Sequence, residues 1–379
     1  MYNQIISFIR DYYQTKDFIP LHAPVFPGKE KEYVASTIDS TFVSSVGAFV
    51  DKFEKDISFY TGSPKAVAAV NGTAALHIAL KLAGVRQDDL VITQALTFVA
   101  TCNAISYLGA ESVFIDVDKE TMGLSPTAMR LWLENNAYLD SENLCKHKGT
   151  NKTIRACVPM HTFGHPVDLD GLLEVCKKWN LSLVEDAAES LGSFYKGKHT
   201  GTFGLLGTLS FNGNKIITTG GGGMILSNEE LGNKAKHITT TAKRPHPYEF
   251  YHDEIGYNYR MPNLNAALGC AQLEQLDAFI EKKRELAEQY EALFKESEIQ
   301  FMKEPLQCKS NYWLNAIICA DKKQRDEFLE ITNKSGVMTR PIWTLMNKLS
   351  MFQNCLSGEL TNSEWLEERV LNLPSSVKV

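Results

Sequence analysis

Between residues 66 and 226, short runs of β-branched and apolar residues alternate with stretches whose apolar positions recur at helical spacing. The runs at 66–70, 90–93, 112–115, 156–160, 181–184, 208–211 and 224–226 predict seven strands. Several are almost wholly apolar, as strands covered on both faces are. Between them, 73–83 carries Leu76, Ile78, Ala79, Leu80 and Leu82, and 169–179 carries Leu172, Leu173, Val175, Cys176 and Trp179, each set spaced for a helix face. Strand and helix in alternation predict an α/β fold around a mainly parallel sheet, which binds ligands at the carboxyl ends of its strands.

The rhythm breaks at 241–259, where Pro245, Pro247 and several basic and tyrosine positions predict an irregular crossing. From 264 to 295, Leu268, Leu273, Leu276, Phe279, Leu286, Tyr290 and Leu293 predict one long helix with a single buried stripe. Beyond it, a strand near 313–319, a helix near 323–333 and a terminal helix ending before Pro374 predict a compact α+β unit. The expected division is a large α/β domain over 20–245, with an N-terminal helix within 1–19 joining the small C-terminal α+β segment 246–379 in a second domain.

Composition removes several function classes. With 44% hydrophobic and 22% charged residues among 379, the chain has the make-up of a globular protein. Its net charge of -6 and lack of a basic helix offer no surface for a phosphate backbone, so nucleic acid is not an expected partner. No apolar run approaches the roughly 20 residues that span a bilayer. The opening residues show no charged segment leading into an apolar core, so a cytoplasmic protein without membrane association is expected. The eight cysteines are scattered, with no metal-type spacing, and read as free thiols; no metal site is expected.

Four segments then change the picture. Lys215 closes Ser210-Phe211-Asn212-Gly213-Asn214-Lys215 just before the glycine run Gly220 to Gly223, and a lysine there is either a Schiff-base amine or a surface lysine on a turn. Asn71-Gly72-Thr73-Ala74-Ala75-Leu76 lies where a strand hands over to a helix. It is a phosphate cradle, helped by about half a positive charge from the helix dipole, or an ordinary capped N-terminus. Asp186 ends a buried strand in Glu185-Asp186-Ala187-Ala188-Glu189. It can pair with a protonated pyridine nitrogen, which keeps pyridoxal phosphate an electron sink, or cap the next helix. Phe98, in Thr97-Phe98-Val99-Ala100-Thr101, can stack on a flat ring or pack in the core, and Ser210 can offer a hydroxyl to phosphate.

These segments, together with Gly256-Tyr257-Asn258-Tyr259-Arg260-Met261, occur in one order, and from about Pro20 onward the chain resembles the DegT/DnrJ/EryC1/StrS family of sugar aminotransferases. Pro24-Val25-Phe26-Pro27-Gly28 and Gly336-Val337-Met338-Thr339-Arg340-Pro341-Ile342-Trp343 resemble its LegC-like branch most. The resemblance implies a pyridoxal 5'-phosphate enzyme of fold type I, a large mixed, mainly parallel seven-stranded sheet with a small α+β domain, working as a homodimer with shared active sites. It implies Lys215 as the Schiff-base lysine, Asp186 as the pyridinium partner, Phe98 as the ring stack, and Gly72, Thr73 and Ser210 as phosphate holders. Asn258 would reach the phosphate from the neighbouring subunit. Glu189 departs from the glutamine that many members place against the ring oxygen, so a glutamate in that role must be protonated or turned away.

The implied reaction moves an amino group from glutamate to a nucleotide-linked keto-sugar, with Lys215 carrying the proton and no metal required. The LegC-like likeness implies C4 of a UDP-linked 4-keto-6-deoxy-N-acetylhexosamine, in cell-surface glycan synthesis; dTDP- or GDP-linked 3- or 4-keto-sugars are the alternative. A related dehydratase carries histidine where Lys215 stands. His161, Arg340 and Trp343 are candidate sugar contacts, each with an ordinary structural alternative; His165 is read the same way.

Overall fold

The computed structural model describes residues 2–378. All seven expected strands are present, with ends displaced by a residue or two: Lys65–Ala69, Leu90–Gln94, Glu111–Ile115, Ile154–Val158, Ser182–Asp186, Leu206–Ser210 and Gly223–Ser227. They lie side by side in the order 65–69, 223–227, 206–210, 182–186, 154–158, 90–94, 111–115, and an eighth strand, Leu356–Ser357, pairs in parallel with Glu111–Ile115. Two residues are too few to leave a pattern in the sequence. Gly223–Ser227 alone among these eight runs antiparallel, to both of its neighbours.

The sheet is covered on both faces because alternate side chains of each strand point to opposite sides. Val67, Ala69, Val91, Val184 and Ile225 pack beneath the helices Gly72–Leu82, Val99–Ser106 and Glu229–Thr239. On the other side Ala66, Ala68, Leu209 and Met224 meet Phe53 and Ile57 of the helix Ala48–Thr61, and Ile92, Val113 and Leu183 meet the helices Pro126–Asn136 and Leu169–Lys178. This explains the unbroken apolar runs.

The expected long helix is two helices, Asn263–Leu273 and Leu276–Phe294. At the break the Gln275 amide bonds to the Gln272 carbonyl, a tighter step than the α-helical one. The halves have different surroundings. The first is buried nearly all round, so close to its neighbour that a Cβ at Gly269 would stand 2.8 Å from the Phe53 ring. The second buries one stripe, Phe279, Lys283, Leu286 and Tyr290. Leu268 and Leu273 belong to neither stripe and stay half-buried. The terminal helix likewise ends early, at Arg369, and Val370–Leu373 is a strand leading into Pro374. The crossing at 241–259 contains a short hairpin, Lys243–Arg244 with Tyr251–His252.

A second, antiparallel sheet has the order Gln300–Phe301, Asn315–Ile318, Val370–Leu373, Arg340–Pro341. Ile5 and Ile9 of the helix Tyr2–Tyr13 share its apolar cluster with Tyr290, Phe328 and Leu371, so the first helix packs with the last third of the chain.

One buried acid ties the last helix to the large sheet. Asp116 follows the strand Glu111–Ile115; one carboxylate oxygen accepts from the amide and hydroxyl of Ser363 (2.7 and 2.6 Å), the other from the amide of Asn362 (2.8 Å). It caps the helix Thr361–Arg369 from a distant part of the chain. Asp116→Ala leaves these donors without an acceptor and is expected to cost about 2–3 kcal/mol. Urea denaturation should show a lower midpoint at unchanged slope; an unmoved midpoint contradicts the cap.

Candidate active site

Seven of the eight strands of the large sheet point the same way and end at one edge, and the segments that leave five of them carry most of the candidate residues. After Lys65–Ala69, Asn71 turns the chain into the helix Gly72–Leu82, its side-chain oxygen accepting from the Ala74 amide at 2.7 Å. The Gly72 and Thr73 amides are left to face outward, as first-turn donors are. Space there is held open by glycine. A Cβ at Gly72 would lie 2.9 Å from the Ser210 Cβ, and one at Gly223 would strike the Asn71 carbonyl at 2.4 Å. Ser210 therefore stands directly beside the helix N-terminus, its hydroxyl accepting weakly from the Asn212 amide at 3.4 Å.

Asp186 ends the strand Ser182–Asp186 and is 5% exposed. Its oxygens accept from the Thr101 hydroxyl at 2.8 Å and the Ala188 amide at 3.2 Å. Burial pushes its carboxyl above the usual carboxylate range, against the pull of the Thr101 hydroxyl, the Ala188 amide and the Lys215 ammonium. Lys215 sits in the excursion that joins the antiparallel strands Leu206–Ser210 and Gly223–Ser227, its amide bonded to the Asn212 carbonyl at 3.0 Å. Its side chain is only 12% exposed; Nζ lies 3.3 Å from Glu189 Oε1 and 3.9 Å from the centroid of the Trp313 ring. The other Glu189 oxygen accepts from the Phe163 amide at 2.9 Å. Burial raises the Glu189 carboxyl too, and Lys215 and the Phe163 amide draw it back.

Phe98 immediately precedes the helix Val99–Ser106 and leaves its ring 48% exposed, 6.4 Å from the ring of Trp343. Trp343 in turn meets Phe163 at 5.1 Å, so these three rings form one wall. Phe163 is held in the left-handed region at φ 56°, a conformation a bulky residue takes under constraint. His161 lies below the open part of the site, without exposed surface. Its Nδ1 accepts from the Val167 amide at 3.2 Å, which leaves Nε2 to donate to Glu185 at 3.1 Å, so neither nitrogen is free for a sugar. His165 is fully buried as well.

Arg340 and Asn258 are not drawn into this cluster. Arg340 is exposed on the small sheet, near Asn333 and the Thr339 carbonyl. Asn258 is exposed on a segment bridged to Thr240. Thr101, Phe163 and Trp313 were not singled out as site residues from sequence. Thr101 and Phe163 stand within segments that were, whereas Trp313 lies far along the chain with no local signal.

A helix N-terminus, a buried acid, an open aromatic ring and a sheltered lysine stand together at one edge of a doubly covered sheet, an arrangement that fits a pyridoxal phosphate-dependent enzyme of fold type I. Residues 26–379 match the model of the DegT/DnrJ/EryC1/StrS aminotransferase family, and the chain belongs to it. Among its relatives, the GDP-perosamine synthase of Escherichia coli O157:H7 is 39% identical, over 94% of this chain and 93% of that protein. The GDP-perosamine synthase of Vibrio cholerae is 33% identical over 94% of each. The crystal structure of the aminotransferase TlmJ from Streptoalloteichus hindustanus superposes with a TM-score of 0.84 at 27% identity, covering 94% of this chain and 93% of that one. The protein is thus a pyridoxal phosphate-dependent sugar aminotransferase. The glycine-lined gap at Gly72 and Ser210 and the buried Asp186 fit its cofactor.

Asp186 carries a cost in the cofactor-free protein. An acid whose folded affinity for the proton is raised stabilises the fold while protonated, and that contribution is lost as pH rises from its unfolded range through its folded one. Asp186→Asn keeps the shape, and Thr101, whose hydroxyl also meets Thr97 at 3.1 Å, can reverse its hydrogen bond to accept from the new amide. Thermal melts of cofactor-free protein should show Asp186→Asn more stable at pH 8, on the order of 1 kcal/mol or about 2 °C. The gain should shrink as pH falls into the range where the native acid also takes up its proton. A loss of stability at pH 8 contradicts this.

Proposed function

We propose that this enzyme transfers an amino group from glutamate to C4 of a nucleotide-linked keto-sugar in the cytoplasm, for cell-surface glycan synthesis. The observation that carries the reading is the sheltered Lys215 amine, set between Glu189 and Trp313 and within electrostatic reach of the buried Asp186. Pyridoxal phosphate, when bound, supplies the electron sink that makes a proton at the amino-bearing carbon removable. In this reading the Gly72 and Thr73 amides and the Ser210 hydroxyl hold its phosphate, Asp186 keeps its ring nitrogen protonated, and Phe98 covers the ring face. Lys215 forms the covalent link and, once released, moves a proton at Nζ. Glu189, 3.3 Å away, is able to hold the Lys215 ammonium while that proton is in transit. A lysine at this place favours amination over the dehydration that histidine serves.

His161 is assigned a positioning part beneath the site, through Asp186, whose carbonyl accepts its amide. Trp343 is the sugar-side contact best supported, since it joins Phe98 in one wall, with Arg340 three residues earlier as the cation for the nucleotide. A homodimer is proposed in which the partner's exposed Asn258 completes the phosphate site. The exposed Phe42 and Val46, on the stretch whose Ser45 meets Arg260, give such a partner apolar area to cover.

Two sugar nucleotides compete. The segments 24–28 and 336–343 support a UDP-linked 4-keto-6-deoxy-N-acetylhexosamine, which is the reading adopted. The names of the two relatives support a GDP-linked sugar instead. Purified enzyme, glutamate and a panel of UDP-, GDP- and dTDP-linked 3- and 4-keto-sugars, followed by mass spectrometry, separate them. Amino-sugar from the UDP substrate alone is expected; product from the GDP substrate alone replaces the nucleotide assignment, and product from none ends the proposal. Lys215→Ala should lose the visible absorbance of the bound cofactor and at least about a thousandfold in turnover.

A further inference from the structure

We infer that Trp313 is a positioning residue for Lys215, holding the lysine amine with its ring face and the turn that carries the lysine with its indole N–H. This rests on the role given to Lys215 above.

Each polar group of Trp313 is committed. Its Nε1–H donates to the carbonyl of Asn214, the residue just before Lys215, at 2.7 Å. Its amide donates to Asn311 Oδ1 at 2.8 Å, and its carbonyl accepts from Lys283 Nζ at 3.0 Å. Lys283 is itself 1% exposed, and burial lowers its ammonium to about 7, so a costly buried lysine serves this carbonyl and that of Ser375. Asn311 does a second job, its side-chain amide donating to the carbonyls of Glu189 and Leu191, both at 2.9 Å. The two groups that flank Lys215 Nζ are thereby fixed to one another through one fully buried asparagine. Tyr312, immediately before Trp313, lies at φ 45°, a strained conformation held by its own bonds: its amide donates to the Ser310 hydroxyl at 3.1 Å and its hydroxyl accepts from the Glu304 amide at 3.0 Å.

A tryptophan in a core needs a partner for its N–H but has no need to place its face over an ammionium-bearing side chain. Lysine has four rotatable bonds, and an amine released from a covalent link disperses among rotamers unless something holds it. Trp313 and Glu189 form that holder on two sides.

Cofactor-free protein mixed with pyridoxal phosphate gives a rate of capture from the rise of visible absorbance, with the adduct at Lys215 verified by borohydride reduction and peptide mass. Trp313→Leu should slow capture and lower kcat about tenfold, the size a desolvated cation–π contact supplies, with KM for glutamate within about threefold. Trp313→Phe, which keeps a ring face, should recover most of both. Trp313→Met stands in should Trp313→Leu not fold. A folded ring-free variant with capture and kcat within about twofold of the parent overturns the inference, and Trp313→Phe as poor as Trp313→Leu overturns the ring-face contact. Parent protein with no adduct at Lys215 overturns the role of the lysine, and this inference with it.

Discussion

The carboxylate of Glu185 is without exposure to solvent, and the local architecture of the site is organised around it. One oxygen accepts from His161 Nε2 and the Gly201 amide at 3.1 and 2.7 Å, the other from the Phe203 and Gly204 amides at 2.6 and 2.8 Å. Burial alone would push this acid up; the His161 bond and the amides outweigh it and hold it below the ordinary range. A buried charge persists only when so fully paired. The pairing fixes the loop that feeds the strand Leu206–Ser210 and hence the turn of Lys215, and it sets the His161 tautomer below the site. Asp186, the next residue, faces the opposite way because strand side chains alternate. One acid thus secures the scaffold while its neighbour stays under-satisfied and available.

Legibility followed physical range. The strands stood out because burial on both faces demands apolar residues at successive positions, and the helix Gly72–Leu82 because its cap and stripe are local. The cradle, Asp186 and Lys215 were each visible as residue types at strand ends, and their joint order carried the family. The contacts that hold them together were not. Asn311 to Glu189, Trp313 to Asn214 and Asp116 to Ser363 join positions on different elements, and a polar residue at such a place reads the same whether it is paired or solvated. The break between Leu273 and Leu276 was hidden for a related reason: both helices are apolar, and only their different neighbours separate one stripe from two.

The lone antiparallel strand explains why a lysine stands at this edge at all. Leu206–Ser210 arrives at the carboxyl edge beside Ser182–Asp186, and an antiparallel partner lets the chain turn there and return at once. A parallel partner would need a crossover of a dozen or more residues to bring the chain back to the far edge. The hairpin instead spends its connecting residues, 211 to 222, at the ligand-binding edge, with Lys215 among them. Its return strand must then pass beneath the helix that starts at Gly72, and at Gly223 only a glycine clears the Asn71 carbonyl. Gly223, the last of the glycine run, and the free amides of the cradle are therefore two sides of one steric requirement, and substituting either side disturbs the other.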